Sequence, residues 1–218
     1  MLIGIIGAAG AGKSTVAKHL VTMHGFAETS FAAPLKRLCA DQFGWNYTRL
    51  NDLDYKEQVD PFIGKTRRSV LQHIGTEGFR AVDPNHWVKQ ASKDIRDIQR
   101  IESAEPGEPL FDGVAVADVR FENEADAIRA GSGFIVLVER SDVRLTVRQR
   151  LARRFKRGFG IHPSETLYLT YPTDYIISVP FGVANLHAAT DRMVATFKTL
   201  QAISNNRRTR QEVADDQG

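Results

Sequence analysis

The feature that most constrains the fold is a glycine-rich octapeptide near the start of the chain, residues 7–14 (GAAGAGKS). It matches the pattern G-x-x-x-x-G-K-[ST] at every fixed position. Five apolar residues, 2–6, precede it, and apolar side chains follow it at helical spacing, at Val16, Leu20 and Met23. A buried strand, a tight turn and a helix in this order predict the first unit of a parallel α/β sheet.

The composition of this loop is suited to binding phosphate groups. Glycine and alanine let the backbone curl so that successive N–H groups point at phosphate oxygens, and the N-terminus of the following helix adds partial positive charge. Lys13 is expected to reach the β- and γ-phosphates of ATP, and the Ser14 hydroxyl to ligate Mg²⁺. A chance glycine-rich turn is the alternative, and the strand–loop–helix context disfavours it. The predicted ATP-binding residues are Gly7, Ala9, Gly10, Ala11, Gly12, Lys13, Ser14 and Thr15.

The remainder of the chain alternates apolar runs with helical patterns, which is typical of α/β proteins. Right-handed crossovers then imply a five-stranded parallel sheet covered on both faces, with ligands at the carboxyl ends of its strands. Residues 44–66 are predicted to be a loop with at most one helical turn, and residues 102–110 a surface loop. The further strands are predicted at residues 27–31, 112–118, 133–139 and 174–179. The further helices are predicted at residues 67–81, 85–101, 123–131, 142–156 and 183–201, and from Pro34 with Leu35, Leu38 and Phe43 inward.

The size and composition of the chain favour one globular domain. With 218 residues it can bury one core and is short for two domains. Its longest apolar stretch, residues 134–138, is far below the roughly 18 residues that a membrane span needs, and residues 2–6 are too short for a signal peptide. A cytoplasmic location and no membrane partner are therefore expected. The lone Cys39 allows no internal disulfide, and a buried structural thiol is favoured over a catalytic one.

The positive charge of the chain is concentrated in one segment. The net charge is +3, and eight basic residues between positions 140 and 157 stand against a single acidic one. The spacing of Val143, Val147, Leu151 and Phe155 predicts that one face of a helix over 142–156 packs on the core. The crowded charges favour a mobile lid that binds polyphosphate and excludes water, with a solvated basic face or weak nucleic-acid contact as the alternative. The basic residues are Arg140, Arg144, Arg148, Arg150, Arg153, Arg154, Lys156 and Arg157.

Two charged residues follow the predicted third strand. Asp118 is placed where an acidic side chain orients Mg²⁺ or its waters, and the alternative is that it caps the next turn. Arg120 is placed to contact a phosphate bidentately, and the alternative is an ion pair with Glu122 or Glu124. Both are therefore candidate site residues at the carboxyl edge of the sheet.

The histidines and serines indicate no other chemistry. The six histidines show no metal-ligand spacing, so no structural zinc site is expected. Ser14 belongs to the phosphate loop, and no nucleophile elbow for a hydrolase is present.

Four further segments resemble those of bacteriophage deoxynucleoside monophosphate kinases, in order and in spacing. They are FAAPLK (31–36), RSVLQHIGTEGFR (68–80), DVRFENEA (118–125) and HPSE (162–165). The resemblance runs from Met1 to about Leu200. It implies a nucleoside-monophosphate-kinase-like three-layer α/β fold with a five-stranded parallel sheet and an Arg-rich lid. The implied organisation is one kinase domain over 1–203, with a substrate-binding insert at about 44–101 and a lid at about 141–165, and a polar, frayed tail over 204–218.

The resemblance also implies an activity, namely transfer of the γ-phosphoryl group of ATP, with Mg²⁺, to deoxynucleoside monophosphates. Relatives often carry proline at the position of Arg67, which leaves open whether Arg67 or Arg68 contacts the acceptor. Gln72 could bind a base edge, although ordinary surface polarity also explains it. The implied acceptor-binding residues are Lys36, Arg68, Gln72, Asp118 and Arg120. The implied catalytic residues are Lys13, Arg120, Arg148 and Arg150, and the implied metal-linked residues are Ser14 and Asp118.

Three other functions stay open from the residues alone. The first is a P-loop kinase for another small acceptor, such as dephospho-coenzyme A or a nucleoside. The second is a nucleic-acid-stimulated ATPase, which is disfavoured because only Phe155 and Phe159 lie near the basic cluster to stack bases. The third is a non-catalytic ATP-binding module. Small nucleotides are the expected partners, with no stable nucleic-acid partner, and a homodimer stays open. If the chain is encoded by a phage, its expected location is the host cytoplasm.

Overall fold

Five strands, all parallel, form the centre of the fold in the computed structural model, which describes residues 1–103, 107–156 and 163–215. The strands are β1 (Leu2–Ile6), β2 (Phe26–Thr29), β3 (Gly113–Val116), β4 (Phe134–Arg140) and β5 (Tyr175–Val179). The helices are α1 (Lys13–His24), α2 (Ala33–Phe43), α3 (Leu53–Glu57), α4 (Arg67–Gln72), α5 (His86–Gln99), α6 (Glu122–Ala130), α7 (Val147–Phe155), α8 (Pro163–Thr170) and α9 (Val183–Asp215).

The strand order is β2-β3-β1-β4-β5, so β1 lies at the middle of the sheet. Ile3 of β1 is in register with Ala115 of β3 on one side and with Phe134 of β4 on the other. The chain leaves β1 toward β2, whereas it leaves β3 in the opposite direction, toward β4. The carboxyl ends of β1 and β3 therefore flank a topological switch point, where open α/β sheets bind ligands. The predicted five-stranded parallel sheet is confirmed.

Both faces of β1 are buried, which explains its uninterrupted apolar sequence. Leu2 and Ile6 pack in a cluster with residues of α5, α6 and α8. Ile3 and Ile5 pack in a second cluster with residues of α1 and α9. The sheet is thus the middle layer of three.

The segment 44–66 is more ordered than predicted. It contains a 3₁₀ turn (Thr48–Asn51) as well as α3, and its large side chains form a third apolar cluster. Trp45, Leu50 and Tyr55 are buried there. The indole Nε1 of Trp45 donates to Asp60 Oδ2 at 2.7 Å. The prediction of a loop was wrong because these aromatic residues pack on α2 and α4 without any periodic spacing of their own.

Several helix details also differ from prediction. Phe43 at the end of α2 was expected inward, but it is 38% exposed and packs on the Trp45 ring. The segment after α4 continues as a π-helix, His73–Arg80, within the predicted helix over 67–81. The last helix, α9, continues to Asp215, past its predicted end at residue 201.

The predicted lid helix differs most. It begins at Val147 rather than at residue 142, because Thr146 caps it through a capping box with Gln149. Its four apolar side chains are not core residues, since their exposure runs from 37% at Leu151 to 63% at Val147. Ala152 is the buried residue of this helix. The following helix, α8, was not predicted, and it contributes Leu167 and Leu169 to the core.

None of the helices in the described part of the chain combines the length and apolarity that crossing a bilayer requires.

Candidate active site

The phosphate loop joins β1 to α1 with a backbone that requires glycine at two positions. Gly7 has φ +153° and Gly12 has φ +101°. A Cβ at Gly7 would lie 2.2 Å from the Val138 carbonyl oxygen, and one at Gly12 would lie 2.6 Å from Leu186 Cδ1. The loop is therefore pressed against β4 and α9, and its curled backbone is the cradle that a phosphate group fits.

Lys13 folds back over this loop. Its ammonium Nζ donates to the carbonyl oxygens of Gly7 at 2.8 Å and Ala8 at 2.9 Å. The first turn of α1 contains no acidic residue, and the side chain of Ser14 is exposed there. The ammonium group, the helix N-terminus and an exposed hydroxyl suit the phosphates and Mg²⁺ of a bound nucleotide.

A cavity of about 270 Å³ lies between the loop and the segment after β3. Lys13 and Arg120 both line it, so the structure brings these two predicted site residues together. The lining residues are Gly7, Ala8, Ala9, Lys13, Val119, Arg120, Gln149, Leu167 and Tyr168.

Arg120 is held by its backbone, which leaves its side chain available. Its N–H donates to Glu124 Oε2 at 2.8 Å, and its guanidinium forms no ion pair with any described side chain. The ion pair considered as an alternative for Arg120 is made instead by Arg80, which donates to Glu124 Oε1 at 2.6 Å. Arg80 also stacks over the Phe121 ring.

Glu124 therefore shapes the turn that presents Arg120. It is 2% exposed, and burial raises the pKa of its carboxyl group. From the sequence, Glu124 was expected only as a possible ion-pair partner of Arg120. The available signal was the first turn of α6, because a Glu at the third helical position accepts from the backbone at the start of a capping box.

Asp118 holds the turn that follows β2. The N–H of Phe31 donates to its Oδ1 at 2.8 Å, and the N–H of Ala32 donates to its Oδ2 at 3.2 Å. Burial raises the pKa of this carboxyl group, and the nearby charges of Lys36 and Arg120 partly oppose that shift. The carboxylate thus caps a turn, but it is the turn after β2 and not the next turn along the chain, which the alternative named, and it does not line the cavity. Its metal-linked role stays a prediction.

A group of four cations lies on the side of the cavity toward β2 and α3. Lys36 donates to Asn51 Oδ1 at 2.7 Å. The pKa of Lys56 is lowered by burial and by the nearby positive charges of Lys36, Arg68 and Arg120. Burial also lowers the pKa of Lys36. We call these four residues the acceptor cluster; it comprises Lys36, Lys56, Arg68 and Arg120.

Lys56 is a residue that sequence reasoning missed. It lies on α3, within the segment predicted to be a loop, and the implied substrate-binding insert at about 44–101 named no residue of that segment. A single lysine in a polar segment carries no signal in sequence, and only the packing of α3 against α4 brings it beside Arg68.

The structure distinguishes Arg67 from Arg68. The guanidinium of Arg67 stacks 4.1 Å from the Tyr55 ring centre and donates to the Tyr55 carbonyl oxygen at 3.3 Å, so it belongs to the third apolar cluster. Arg68 pairs with Glu57 and lies near Lys56. Gln72 is exposed on α4 and lines neither the cavity beside Lys13 and Arg120 nor the second cavity described below.

A second cavity, of about 380 Å³, lies on the other side of the loop, toward the lid. Arg140 and Arg153 line it, and Arg153 also pairs with Glu139 at 2.5 Å. Arg148 and Arg150, which were expected to be catalytic, are exposed and line neither cavity. Gln149 of the same helix reaches the first cavity and donates to the Tyr168 hydroxyl at 3.0 Å. Arg157 and His162 lie outside the described residues.

Two of the histidines, which show no metal-ligand spacing in the sequence, come together in the structure. His19 and His24 on α1 converge with Asp191 on α9, and their ligand atoms lie within 4.8 Å of one another. The sequence could not predict this group, because Asp191 lies on the last helix and the two histidines lie on the first.

The known proteins that are similar to this chain are named kinases. No protein-family model matches the chain. Over 153 residues it is 29% identical to a protein of Acanthamoeba polyphaga mimivirus that carries the provisional name deoxynucleotide monophosphate kinase, which covers 66% of this chain and 76% of the relative. Among solved structures, dephospho-CoA kinase from Campylobacter jejuni is 13% identical with a TM-score of 0.48, covering 89% of this chain and 96% of its own. A gluconokinase from Sinorhizobium meliloti 1021 is 16% identical with a TM-score of 0.38, covering 91% and 95%.

The parallel sheet and the phosphate loop at its carboxyl edge, together with the kinase relative, define the class of this protein: it is a P-loop kinase, that is, a phosphotransferase. The named relative is from a mimivirus, so the resemblance to bacteriophage enzymes in particular stays a prediction.

Proposed function

We propose that this protein transfers the γ-phosphoryl group of ATP to the 5′-phosphate of a deoxynucleoside monophosphate. The observation that carries the proposal is the acceptor cluster, one member of which, Arg120, lines the first cavity together with Lys13 of the phosphate loop. Three of its members (Lys36, Lys56 and Arg68) come from the segments between β2 and α5, and Arg120 comes from the end of β3. Glu57 pairs with Arg68, and Glu28 and Asp118 lie near Lys36, so carboxylates offset part of this positive charge. An acceptor phosphate would be a further anion for these cations to bind.

Each side of the site then has its own task. The loop backbone and Lys13 hold the β- and γ-phosphates, and Ser14 supplies an oxygen ligand to Mg²⁺. Bound Mg·ATP supplies the phosphoryl group and part of the charge neutralisation. Arg120 lines the same cavity as Lys13, so it is placed to hold the acceptor phosphate in line with the donor.

Among the described residues, no carboxylate or imidazole lines the cavity beside Arg120, which fits a phosphate acceptor. A phosphate oxygen is already nucleophilic at neutral pH, whereas a hydroxyl acceptor needs a positioned general base. Asp118 uses both carboxylate oxygens to accept backbone N–H groups, which weakens it as a candidate for that base. A nucleoside or dephospho-coenzyme A, whose acceptor group is a hydroxyl, is therefore disfavoured.

The test is a coupled ADP-release assay with Mg·ATP. The acceptors are dAMP, dCMP, dGMP, dTMP, the ribonucleoside monophosphates, a nucleoside mixture and dephospho-coenzyme A. We expect turnover with at least one deoxynucleoside monophosphate, lost in Lys13→Ala and retained in Lys93→Ala, whose side chain is exposed on α5. Turnover only with a hydroxyl acceptor would reject the proposed acceptor and keep the kinase class. A rate of ADP release that no acceptor changes, but that added DNA increases, would instead indicate a nucleic-acid-stimulated ATPase.

A further inference from the structure

A cluster of histidines lies away from the phosphate loop, on the packed faces of α1 and α9. His19 Nε2 lies 2.7 Å from Asp191 Oδ1, and His24 Nε2 lies 2.8 Å from the same oxygen. The His19 side chain is 7% exposed, His24 is 18% exposed and Asp191 is 53% exposed. The helices α1 and α9, which pack on the same face of the sheet, thus contact each other through two imidazoles and one carboxylate.

A fourth residue fixes the orientation of this group. The ring of His187 stacks on the ring of His19, with centres 4.0 Å apart and planes 17° from parallel. His187 and Asp191 are four residues apart on α9, so they share one face of that helix. The stacked ring keeps the His19 imidazole turned toward Asp191.

We propose that His19, His24 and Asp191 form a binding site for a first-row transition-metal dication of the Zn²⁺ type. Of the side chains that the structure describes, this is the group in which three metal-ligating atoms meet. Imidazole nitrogens favour Zn²⁺, Cu²⁺, Ni²⁺ and Fe²⁺ over Mg²⁺ and Ca²⁺, which take oxygen ligands. The site is therefore distinct in chemistry from the Mg²⁺ position at Ser14.

The distances suit such an ion. Ligand atoms bound to one tetrahedral Zn²⁺ at its usual bond lengths lie about 3.3 Å apart. The two nitrogen–oxygen distances of 2.7 and 2.8 Å are shorter than this by only about 0.5 Å. A small rotation of the half-exposed Asp191 side chain makes the needed room. Three protein ligands leave the remaining coordination positions to water on the solvent side of Asp191.

A bound ion would crosslink the two helices that support the phosphate loop. The loop enters α1, and Leu186 of α9 packs against Gly12 of the loop. The crosslink stabilises the folded state because the unfolded chain does not hold these three ligands together. The site is independent of which acceptor the kinase uses.

The experiment uses the whole chain after EDTA treatment, without nucleotide. Calorimetric titration with ZnCl₂ measures stoichiometry and Kd, and thermal melting with and without Zn²⁺ measures the stability change. The variants are His24→Gln and Asp191→Asn, chosen because these side chains are the more exposed ones. The matched control is His73→Gln, since His73 also pairs with a carboxylate, Glu77 at 2.7 Å, without a third ligand nearby.

We expect one Zn²⁺ per chain at micromolar concentration and a melting temperature raised by about 5 °C or more at a hundredfold excess over Kd. Each ligand variant should weaken binding at least about tenfold, since even outer partners of metal ligands contribute about 10–100-fold. His73→Gln should leave both readouts unchanged.

Two results would overturn the site. One is the absence of micromolar Zn²⁺ binding by the wild-type chain. The other is a Kd and a Zn²⁺-dependent melting shift that are the same in wild type and both ligand variants. If the variants lower the melting temperature equally in EDTA and in Zn²⁺, the group is only a set of hydrogen bonds between helices, and the proposal is rejected.

Discussion

Glu124 and Arg120 are joined through the backbone: the Arg120 N–H donates to the Glu124 carboxylate at 2.8 Å, while the guanidinium of Arg120 stays available to the cavity. The other oxygen of Glu124 accepts from Arg80. One buried carboxylate thus sets the turn after β3 and links it to the π-helix that follows α4. The position of a candidate catalytic arginine therefore depends on a residue that contacts no substrate.

Replacing Glu124 should cost stability. Glu124 is 2% exposed, and in Glu124→Ala its ion-pair partner Arg80 is left without a carboxylate. Breaking a buried pair of this kind lowers the free energy of unfolding by about 3 kcal/mol or more. Urea denaturation measures the free energy of unfolding. Glu122→Ala is the control, because Glu122 is exposed at the start of the same helix and should change stability by less than about 0.5 kcal/mol. Equal effects of the two substitutions would contradict the assigned role of Glu124.

The phosphate loop should tolerate no side chain at Gly7. In Gly7→Ala the new Cβ would lie 2.2 Å from the Val138 carbonyl oxygen, so the loop or β4 must shift. Gly44→Ala is the matched comparison, since Gly44 has φ +66° and nothing within 4 Å of the added Cβ. Gly44→Ala should cost only the left-handed backbone strain, about 1–2 kcal/mol, and Gly7→Ala should cost clearly more. A lower cost for Gly7→Ala in chemical denaturation would show that the loop is not pressed on β4.

Replacing Lys56 should lower kcat/KM for the acceptor and leave the KM for ATP unchanged. If the acceptor cluster binds a phosphate, Lys56→Met removes one charge-assisted contact, worth about 1.5 kcal/mol or about tenfold in kcat/KM for the acceptor. The KM for ATP should stay unchanged, because the charged neighbours of Lys56 are Lys36, Arg68, Arg120 and Glu57, and none of them belongs to the phosphate loop. Lys93→Met serves as the control in the same steady-state assay. A change confined to the ATP KM would remove Lys56 from the acceptor site.

Cys39 should be unreactive in the folded protein. Burial raises the pKa of its thiol from 9.0 to about 11, so the thiolate fraction at pH 8 falls by about a hundredfold. Iodoacetamide should therefore label the native chain far more slowly than the chain in urea. The same shift contributes stability that is complete below pH 9.0 and is lost as the pH rises toward about 11. Comparable labelling rates in both states would show that the thiol is accessible.

The sheet could be read from the sequence because parallel strands covered on both faces are continuously apolar, as in residues 2–6 and 134–138. The lid could not be read in the same way. Val143, Val147, Leu151 and Phe155 have the spacing of a core-facing stripe, yet all four are exposed. Spacing shows which side chains share a face of a helix, and it does not show what that face packs against.

The part of the candidate site that could be predicted is the part whose residues are consecutive in the sequence. The phosphate loop, Lys13 and Ser14 lie within eight consecutive residues, so their pattern alone predicts their arrangement. Lys56 was missed because most of its charged neighbours lie far along the chain. Glu124 was missed although its capping contacts are local, and only its pairing with Arg80 joins distant segments. Lys56 meets Arg120, 64 positions later, only through the packing of the insert on the sheet.

By itself, the sequence determined the phosphate loop, the five strands and, through its single cysteine, that no internal disulfide can form, because these follow from residue types alone. Only the tertiary structure decided which cations gather across from Lys13, that Asp118 caps a turn, and that His19, His24 and Asp191 meet. The reason is physical: contacts between distant segments depend on how helices and strands pack, and a side chain's own neighbours in sequence carry no record of that packing.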